Sequence, residues 1–268
     1  MAKKVVGRKY LDFKGRMVMI GFGSIGQGVL PLILRHIGIK PSQITIIAED
    51  DRGGLPETER YGVEFIQKRL TQANYRKMLA DRLAKGDFLV NLSVEVASTA
   101  LVELCQEQGA LYIDTCIEPW PGGYTDPSLS VSLRSNYALR EAMLKLAPRY
   151  RGGPTAVIAH GANPGLVSHF VKQALMNVAK DSGMSVKVPV DREGWGRLAR
   201  RLGVKVIHIA ERDTQVSPQP ISAGWLPSET KPSIDQVLTN SPTFLGFLDT
   251  WVSRSAMWIT LTPSLRAS

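Results

Sequence analysis

The 268-residue chain is 44% hydrophobic and 21% charged, has a formal net charge of +9, and contains only two cysteines, Cys105 and Cys116. These values suit one large or two modest globular domains and exclude a disulfide framework or a cysteine-rich metal site. No apolar run reaches the ~18–20 residues of a membrane span, and the basic first nine residues lack the apolar core of a secretory signal, so a cytoplasmic setting and no membrane partner are expected.

The first strong pattern spans residues 17–26, where an apolar strand runs into Gly21-Phe22-Gly23-Ser24-Ile25-Gly26. Gly21 permits the tight turn, Gly23 lets bare backbone approach a pyrophosphate, and Gly26 lets helix and strand pack closely. The helix that follows, over residues 27–35, would present free N–H groups to phosphates. A second strand, residues 44–48, ends in Glu49-Asp50-Asp51. An acid roughly 20 residues beyond the glycines suits the hydroxyls of an adenosine ribose and favours NAD over NADP. Glu49 is the first choice as ribose ligand, with Asp50 and Asp51 as alternatives. A plain α/β turn is the competing reading of the glycines.

A helix near residues 56–61, a strand at 63–66 and a helix at 74–83 come next. Residues 87–93 form a buried parallel strand ending in polar groups, 99–108 a helix, and 111–115 another strand. This alternation predicts a doubly wound, Rossmann-like, mainly parallel sheet over residues 10–160. Ligands gather at the C-terminal strand ends of such sheets, so Ser24, Glu49, Asn91, Ser93, Asp114 and Thr115 are expected to line one crevice.

A helix over 135–146 precedes a strand at 155–159, which opens into His160-Gly161-Ala162-Asn163-Pro164-Gly165 and a helix over 166–179. Residues 187–209 add a further helix and a strand. Residues 161–215 thus begin a second region. Basic residues are scattered apart from Arg192, Arg197, Arg200, Arg201 and Lys205, on an amphipathic helix with Trp195, Leu198 and Leu202 opposite, so no nucleic-acid partner is expected. His160 and His169 have no third ligand at zinc-like spacing, and no metal is expected. His36 and His208 serve packing. Residues 216–268 hold six of the 16 prolines and only three acids, Glu229, Asp235 and Asp249. They show no lasting period before 244–248 and read as a divergent, weakly ordered tail, although Trp225, Trp251 and Trp258 argue for some burial.

Several blocks carry a resemblance beyond the glycine motif. They are residues 18–34, 63–67, Asn91-Leu92-Ser93-Val94, residues 109–115, Glu118-Pro119-Trp120, residues 134–140, Gly161-Ala162-Asn163-Pro164-Gly165, and residues 207–215. Through them the chain resembles the bacterial homospermidine synthases, relatives of the saccharopine and carboxynorspermidine dehydrogenases. The resemblance covers residues 10–215 in one register. Family members are much longer, so the resemblance implies that residues 161–215 begin an incomplete substrate or dimerisation region and that the chain is truncated or frame-shifted after about residue 215.

The resemblance implies a two-stage hydride transfer. NAD takes hydride from the amine-bearing carbon of putrescine, ammonia leaves, a second putrescine attacks, and the new imine is reduced by the same cofactor to homospermidine. A diammonium substrate needs carboxylates within a cleft. The resemblance places amine-binding and catalytic roles on Glu118 and Glu211, a hydrogen-bonding catalytic role on Asn163, and a further substrate carboxylate on Glu95. Blander roles compete: Glu118 as a turn cap, Glu211 as a surface ion-pair partner, and Asn163 as an Asx turn. Cys116 approaches the cleft or is an inert buried thiol. Family dimers imply a possible homodimer, although an interface built on the region after 215 would be lost. Two other functions stay open: a saccharopine or carboxynorspermidine dehydrogenase-like oxidoreductase, and a truncated, non-catalytic NAD-binding remnant. A carboxylate-bearing substrate would call for an arginine in the cleft, which the acids at 118 and 211 do not supply.

Overall fold

The computed structural model describes residues 8–161, 165–213, 234–238 and 255–263, the segments 208–213, 234–238 and 255–263 as backbone only. The chain divides into two compact units at Gly161/Ala162.

In the first unit the elements run β1 (Leu11–Asp12), β2 (Met17–Ile20), α1 (Ser24–His36), β3 (Ile37–Gly38), β4 (Ile44–Ala48) and α2 (Leu55–Tyr61). They continue with β5 (Glu64–Gln67), α3 (Tyr75–Ala80), β6 (Phe88–Asn91), α4 (Ser98–Gln108), β7 (Leu111–Asp114), α5 (Asn136–Leu146) and β8 (Ala156–Val157). Six strands form one sheet in the order β5-β4-β2-β6-β7-β8, and every pairing is parallel. The order reverses between β2 and β6, which opens a crevice at the C-terminal strand ends.

Strand β2 shows why the sheet must be covered on both faces. Met17 and Met19 join the apolar cluster of Leu30, Ile33 and Leu34 from α1. Val18 and Ile20 join the opposite cluster, with Leu79 from α3, Leu101 and Leu104 from α4, and Met143 from α5. All four β2 residues are at most 2% exposed. A strand apolar at every position cannot face water on either side, and helices on both faces answer that demand.

The second unit contains α6 (Leu166–Asp181), α7 (Arg192–Arg201) and β9 (Val204–Asp213). Leu175 and Ala179 of α6 pack with Leu198 of α7 and Val204. Strands β10 (Ile234–Leu238) and β11 (Ser255–Pro263) pair antiparallel on the two edges of β9.

Two elements depart from the sequence expectation. The strand expected over 155–159 is only two residues long, because β8 pairs with Tyr112 and Ile113 alone and Ala159 turns into left-handed backbone at φ +52°. Among the described residues after 215 there are two strands; Ile259 and Leu261 alternate with Thr260 and Thr262 in the sequence, a strand signal submerged in loop-like surroundings. The segment 244–248, Trp225 and Trp251 lie outside the described residues.

Candidate active site

Strand β2 delivers the chain into Gly21, whose backbone N–H donates to the Ile47 carbonyl at 2.9 Å. At Gly21 φ is +87°, and a Cβ there would lie 2.8 Å from the Leu92 carbonyl carbon and oxygen and 2.9 Å from the Ser93 nitrogen. Only glycine fits, because the loop after β6 passes directly over the turn. A Cβ on Gly26 would meet the Gly21 oxygen at 2.8 Å and the Phe22 ring at 3.1 Å, so this glycine sets the spacing of helix and strand. Gly23 is different. Nothing lies within 4 Å of where its Cβ would be, and it caps α1 with no side-chain hydrogen bond. The first turn of α1, Ser24, Ile25 and Gly26, contains no acid and leaves its N–H donors without intrahelical acceptors.

Beside this turn lies a cavity of about 280 Å³, lined in part by Gly21, Gly23, Glu49, Arg69, Ser93 and Glu95. Arg52 and Lys68 also line it. These residues follow β2, β4, β5 and β6, where a parallel sheet presents its C-terminal ends. Sequence reading missed the cations. Lys68 and Arg69 stand just beyond the strand expected at 63–66, and that place near a strand end was the available signal.

The three acids after β4 separate by their partners. Arg52 Nε donates to both Asp50 carboxylate oxygens, at 2.9 and 3.2 Å. Asp51 accepts from the Leu55 N–H at the start of α2, at 3.3 Å. Glu49 is held more loosely, 3.6 Å from Arg69 Nη1, and its side chain is 63% exposed. The other end of the Arg69 guanidinium lies 3.4 Å from Glu95. Glu95 has φ +59°, an uncommon conformation for a side chain of this size.

Glu118 is buried, at 7% exposure. Its backbone is clamped to the start of α4: its N–H donates to Ser98 Oγ at 3.0 Å, and its carbonyl accepts from the Ser98 N–H at 2.9 Å. Its carboxylate accepts from the Glu95 N–H at 3.4 Å. Two of the expected acids are therefore neighbours, but through Glu95's backbone; the Glu95 carboxylate is on Arg69.

Asn91 and Asp114 were expected to line the crevice, and the structure turns both inward instead. Each is at most 1% exposed. Ser93 Oγ donates to Asn91 Oδ1 at 2.6 Å, Asn91 Nδ2 donates to Tyr112 Oη at 3.3 Å, and Tyr112 Oη donates to Asp114 Oδ2 at 2.8 Å. Asp114 Oδ1 then accepts from the Ala159 N–H at 2.6 Å. Burial, and next the charge of Asp114, hold the Tyr112 hydroxyl well above the usual phenol range, so it remains a proton donor to that acid. The pleat explains this placement. Tyr112 lies between the two strand-end residues and brings a polar tip into a buried face, which needs partners there. Thr115 follows β7 and is half-buried. Asn163 lies outside the described residues. Glu211 is on β9, in register with Ile234 and Met257, and only its backbone is described.

Residues 17–157 match the family model described as the saccharopine dehydrogenase NADP binding domain. The chain is 53% identical over 209 residues to a homospermidine synthase of Blastochloris viridis, covering 77% of this chain and 44% of that protein. It is 44% identical over 253 residues to a homospermidine synthase of Mesorhizobium japonicum, covering 92% of this chain and 52% of the relative. A match over 92% of 268 residues reaches beyond residue 215, where the quoted blocks stop. A crystal structure of the Legionella pneumophila homospermidine synthase in complex with NAD superposes with a TM-score of 0.71 at 44% identity, covering 81% of this chain and 44% of that one. The chain spans about half the length of the curated relatives it matches.

Proposed function

Because the chain belongs to the saccharopine dehydrogenase NADP-binding-domain family, we propose that its first unit binds NAD at the β2/β6 switch point and serves homospermidine synthesis from putrescine. The observation that carries the cofactor reading is the Gly21–Gly23–Gly26 turn. Two of its glycines are demanded by packing, and the third leaves open space beside a cavity that Glu49 lines. A pyrophosphate would take the α1 donors and the bare face of Gly23. The ribose hydroxyls would meet Glu49, since Asp50 and Asp51 are engaged locally. When bound, NAD supplies a hydride acceptor that later returns the hydride.

This chain's own residues position the amine. A buried carboxylate is costly unless cations or N–H groups face it. Glu118, clamped by Ser98 after β7, offers a substrate ammonium such a site at the C-terminal edge of the sheet. In this reading Glu118 orients the reacting amine and holds the proton exchanged as amine and imine interconvert. Asn163 and Glu211 keep the hydrogen-bonding and amine-binding roles that the resemblance alone gives them. Glu95 would bind an amine only by exchanging Arg69 for it. Asn91 and Asp114 act from behind, fixing Ser93 and the turn at Ala159. The buried acid at 118 favours a polyamine, whereas Arg69 beside Glu95 is the kind of group the carboxylate-bearing substrates of the dehydrogenase alternative would need.

The test is incubation of the chain with NAD and putrescine, following homospermidine by mass spectrometry and titrating NAD on the same sample. Glu118→Gln should lower turnover by about 100-fold or more while NAD affinity is unchanged, since the charge that would face the substrate ammonium is lost and the side chain keeps its size. Unchanged turnover in that variant would remove the amine-binding role. NAD binding without homospermidine would leave the cofactor reading standing and remove the synthase reading.

A further inference from the structure

Tyr112 is 1% exposed and lies in the apolar cluster with Leu89, Leu101 and Leu104. A phenylalanine would suit that packing, whereas a phenol brings a hydroxyl that must be satisfied. The hydroxyl donates to Asp114 Oδ2 at 2.8 Å and accepts from Asn91 Nδ2 at 3.3 Å, and the Ser98 side chain is a third hydrogen-bond partner. Two of these partners lead to the candidate site. Asn91 Oδ1 accepts from both Ser93 Oγ, at 2.6 Å, and the Ser93 N–H, at 3.2 Å, which pins the loop that passes over Gly21 beside the cavity. Ser98 Oγ accepts from the Glu118 N–H at 3.0 Å, and the Ser98 N–H donates to the Glu118 carbonyl at 2.9 Å. The Ser98 hydroxyl also reaches the Cys116 carbonyl, at 3.4 Å, which is long for a hydroxyl donor.

We infer that the Tyr112 hydroxyl is a positioning group that sets the spacing between cofactor and amine, holding Ser93 through Asn91 and Glu118 through Ser98. The inference rests on the readings of the cavity as the NAD site and of Glu118 as the amine ligand. Being buried, Tyr112 acts through its neighbours rather than on either ligand. One oxygen thus ties the end of β6 and the start of α4 to β7, and hydrogen bonds joined in such a network restrain one another. Asp114 steadies the phenol in turn, because its other carboxylate oxygen is held by the Ala159 N–H at 2.6 Å. Hydride transfer makes that spacing matter: the reacting carbon and the nicotinamide must stand in near contact, and a displacement of about 1 Å costs about 100-fold in rate.

The experiment is Tyr112→Phe in the 268-residue chain, which keeps the ring and removes the hydroxyl. With NAD and putrescine it should lower kcat by about 30-fold, while NAD affinity measured by calorimetry falls by no more than about threefold. Asp87→Ala is the control for stability: it too loses buried hydrogen bonds, but Asp87 precedes β6 at the end away from the crevice, so that variant should keep the parent's kcat when all are assayed below their unfolding midpoints. Ser98→Ala should match Tyr112→Phe, and the double variant should fall no more than about threefold below either, because both cut one path. Ser98→Ala carries the test by itself if Tyr112→Phe does not fold. The inference is overturned if the hydroxyl-free variant keeps the parent's kcat, if its NAD affinity falls as far as its kcat, if Asp87→Ala loses the same activity, or if the two single losses multiply to about 900-fold. A parent that makes homospermidine while Tyr112→Phe is equally active removes this inference alone. A parent that binds NAD without making product removes it together with the amine reading, and one that binds no NAD removes it together with the cofactor reading.

Discussion

Replacing Gly21 and Gly23 by alanine, one at a time, separates what the glycine turn does for the fold from what it does for the ligand. At Gly21 the added Cβ meets Leu92 and Ser93 backbone at 2.8–2.9 Å, and the residue sits at φ +87°. Left-handed backbone costs a non-glycine residue about 1–2 kcal/mol. Relieving a backbone overlap by shifting the β6 loop costs about 1–3 kcal/mol more. Gly21→Ala should therefore lose about 3 kcal/mol in urea unfolding followed by circular dichroism. At Gly23 φ is −74° and ψ −160°, an extended conformation open to alanine, and its Cβ would meet nothing within 4 Å. Gly23→Ala should leave stability within about 0.5 kcal/mol of the parent. Its methyl group would stand where the pyrophosphate must come close, so NAD affinity should fall by about 30-fold, roughly 2 kcal/mol. A Gly21→Ala protein as stable as the parent would refute the close-approach argument. A Gly23→Ala protein with the parent's NAD affinity would refute the placement of the phosphates.

Three further outcomes follow from the first unit. Asp87 is buried and accepts from the Arg16 N–H at 2.7 Å, Arg16 Nε at 2.9 Å and the Ala84 N–H at 2.9 Å; Asp87→Ala should cost about 3 kcal/mol in urea unfolding by leaving those donors without their acceptor. The Arg76 hydrogen bond holds the Glu107 carboxyl below its ordinary value of 4.5, so the pair's contribution is present above that value and is lost as pH falls through the folded value. Glu107→Gln should accordingly cost up to about 1 kcal/mol at neutral pH, with parent and variant converging at strongly acidic pH in urea titrations. Burial pushes the Cys105 thiol up to about 12, so iodoacetamide at neutral pH should spare Cys105 in the native protein and label it only after denaturation, read by peptide mass spectrometry.

The sheet was legible in the sequence because parallel strands buried on both faces are short, continuously apolar runs. Residues 17–20 and 44–48, and the apolar centre of 87–93, read that way without any knowledge of their neighbours. The glycine turn was legible for a related reason: its constraints act within a few residues, and only the partner at Leu92–Ser93 had to come from elsewhere. The tail strands were not legible, since pairing with β9 makes them strands in spite of loop-like surroundings.

Sequence alone thus determined the strand and helix alternation, the turn that opens toward a phosphate, and the acids close to strand ends, because local sterics and hydrophobic period decide these. Tertiary structure decided the rest. It turned Asn91 and Asp114 inward onto Tyr112, clamped Glu118 to Ser98, and drew Arg69 between Glu49 and Glu95. Which way a polar side chain at a strand end turns depends on who can satisfy its hydrogen bonds, and apart from the Tyr112–Asp114 pair within one strand those partners stand about 20 residues or more away along the chain, brought close only when the sheet is assembled.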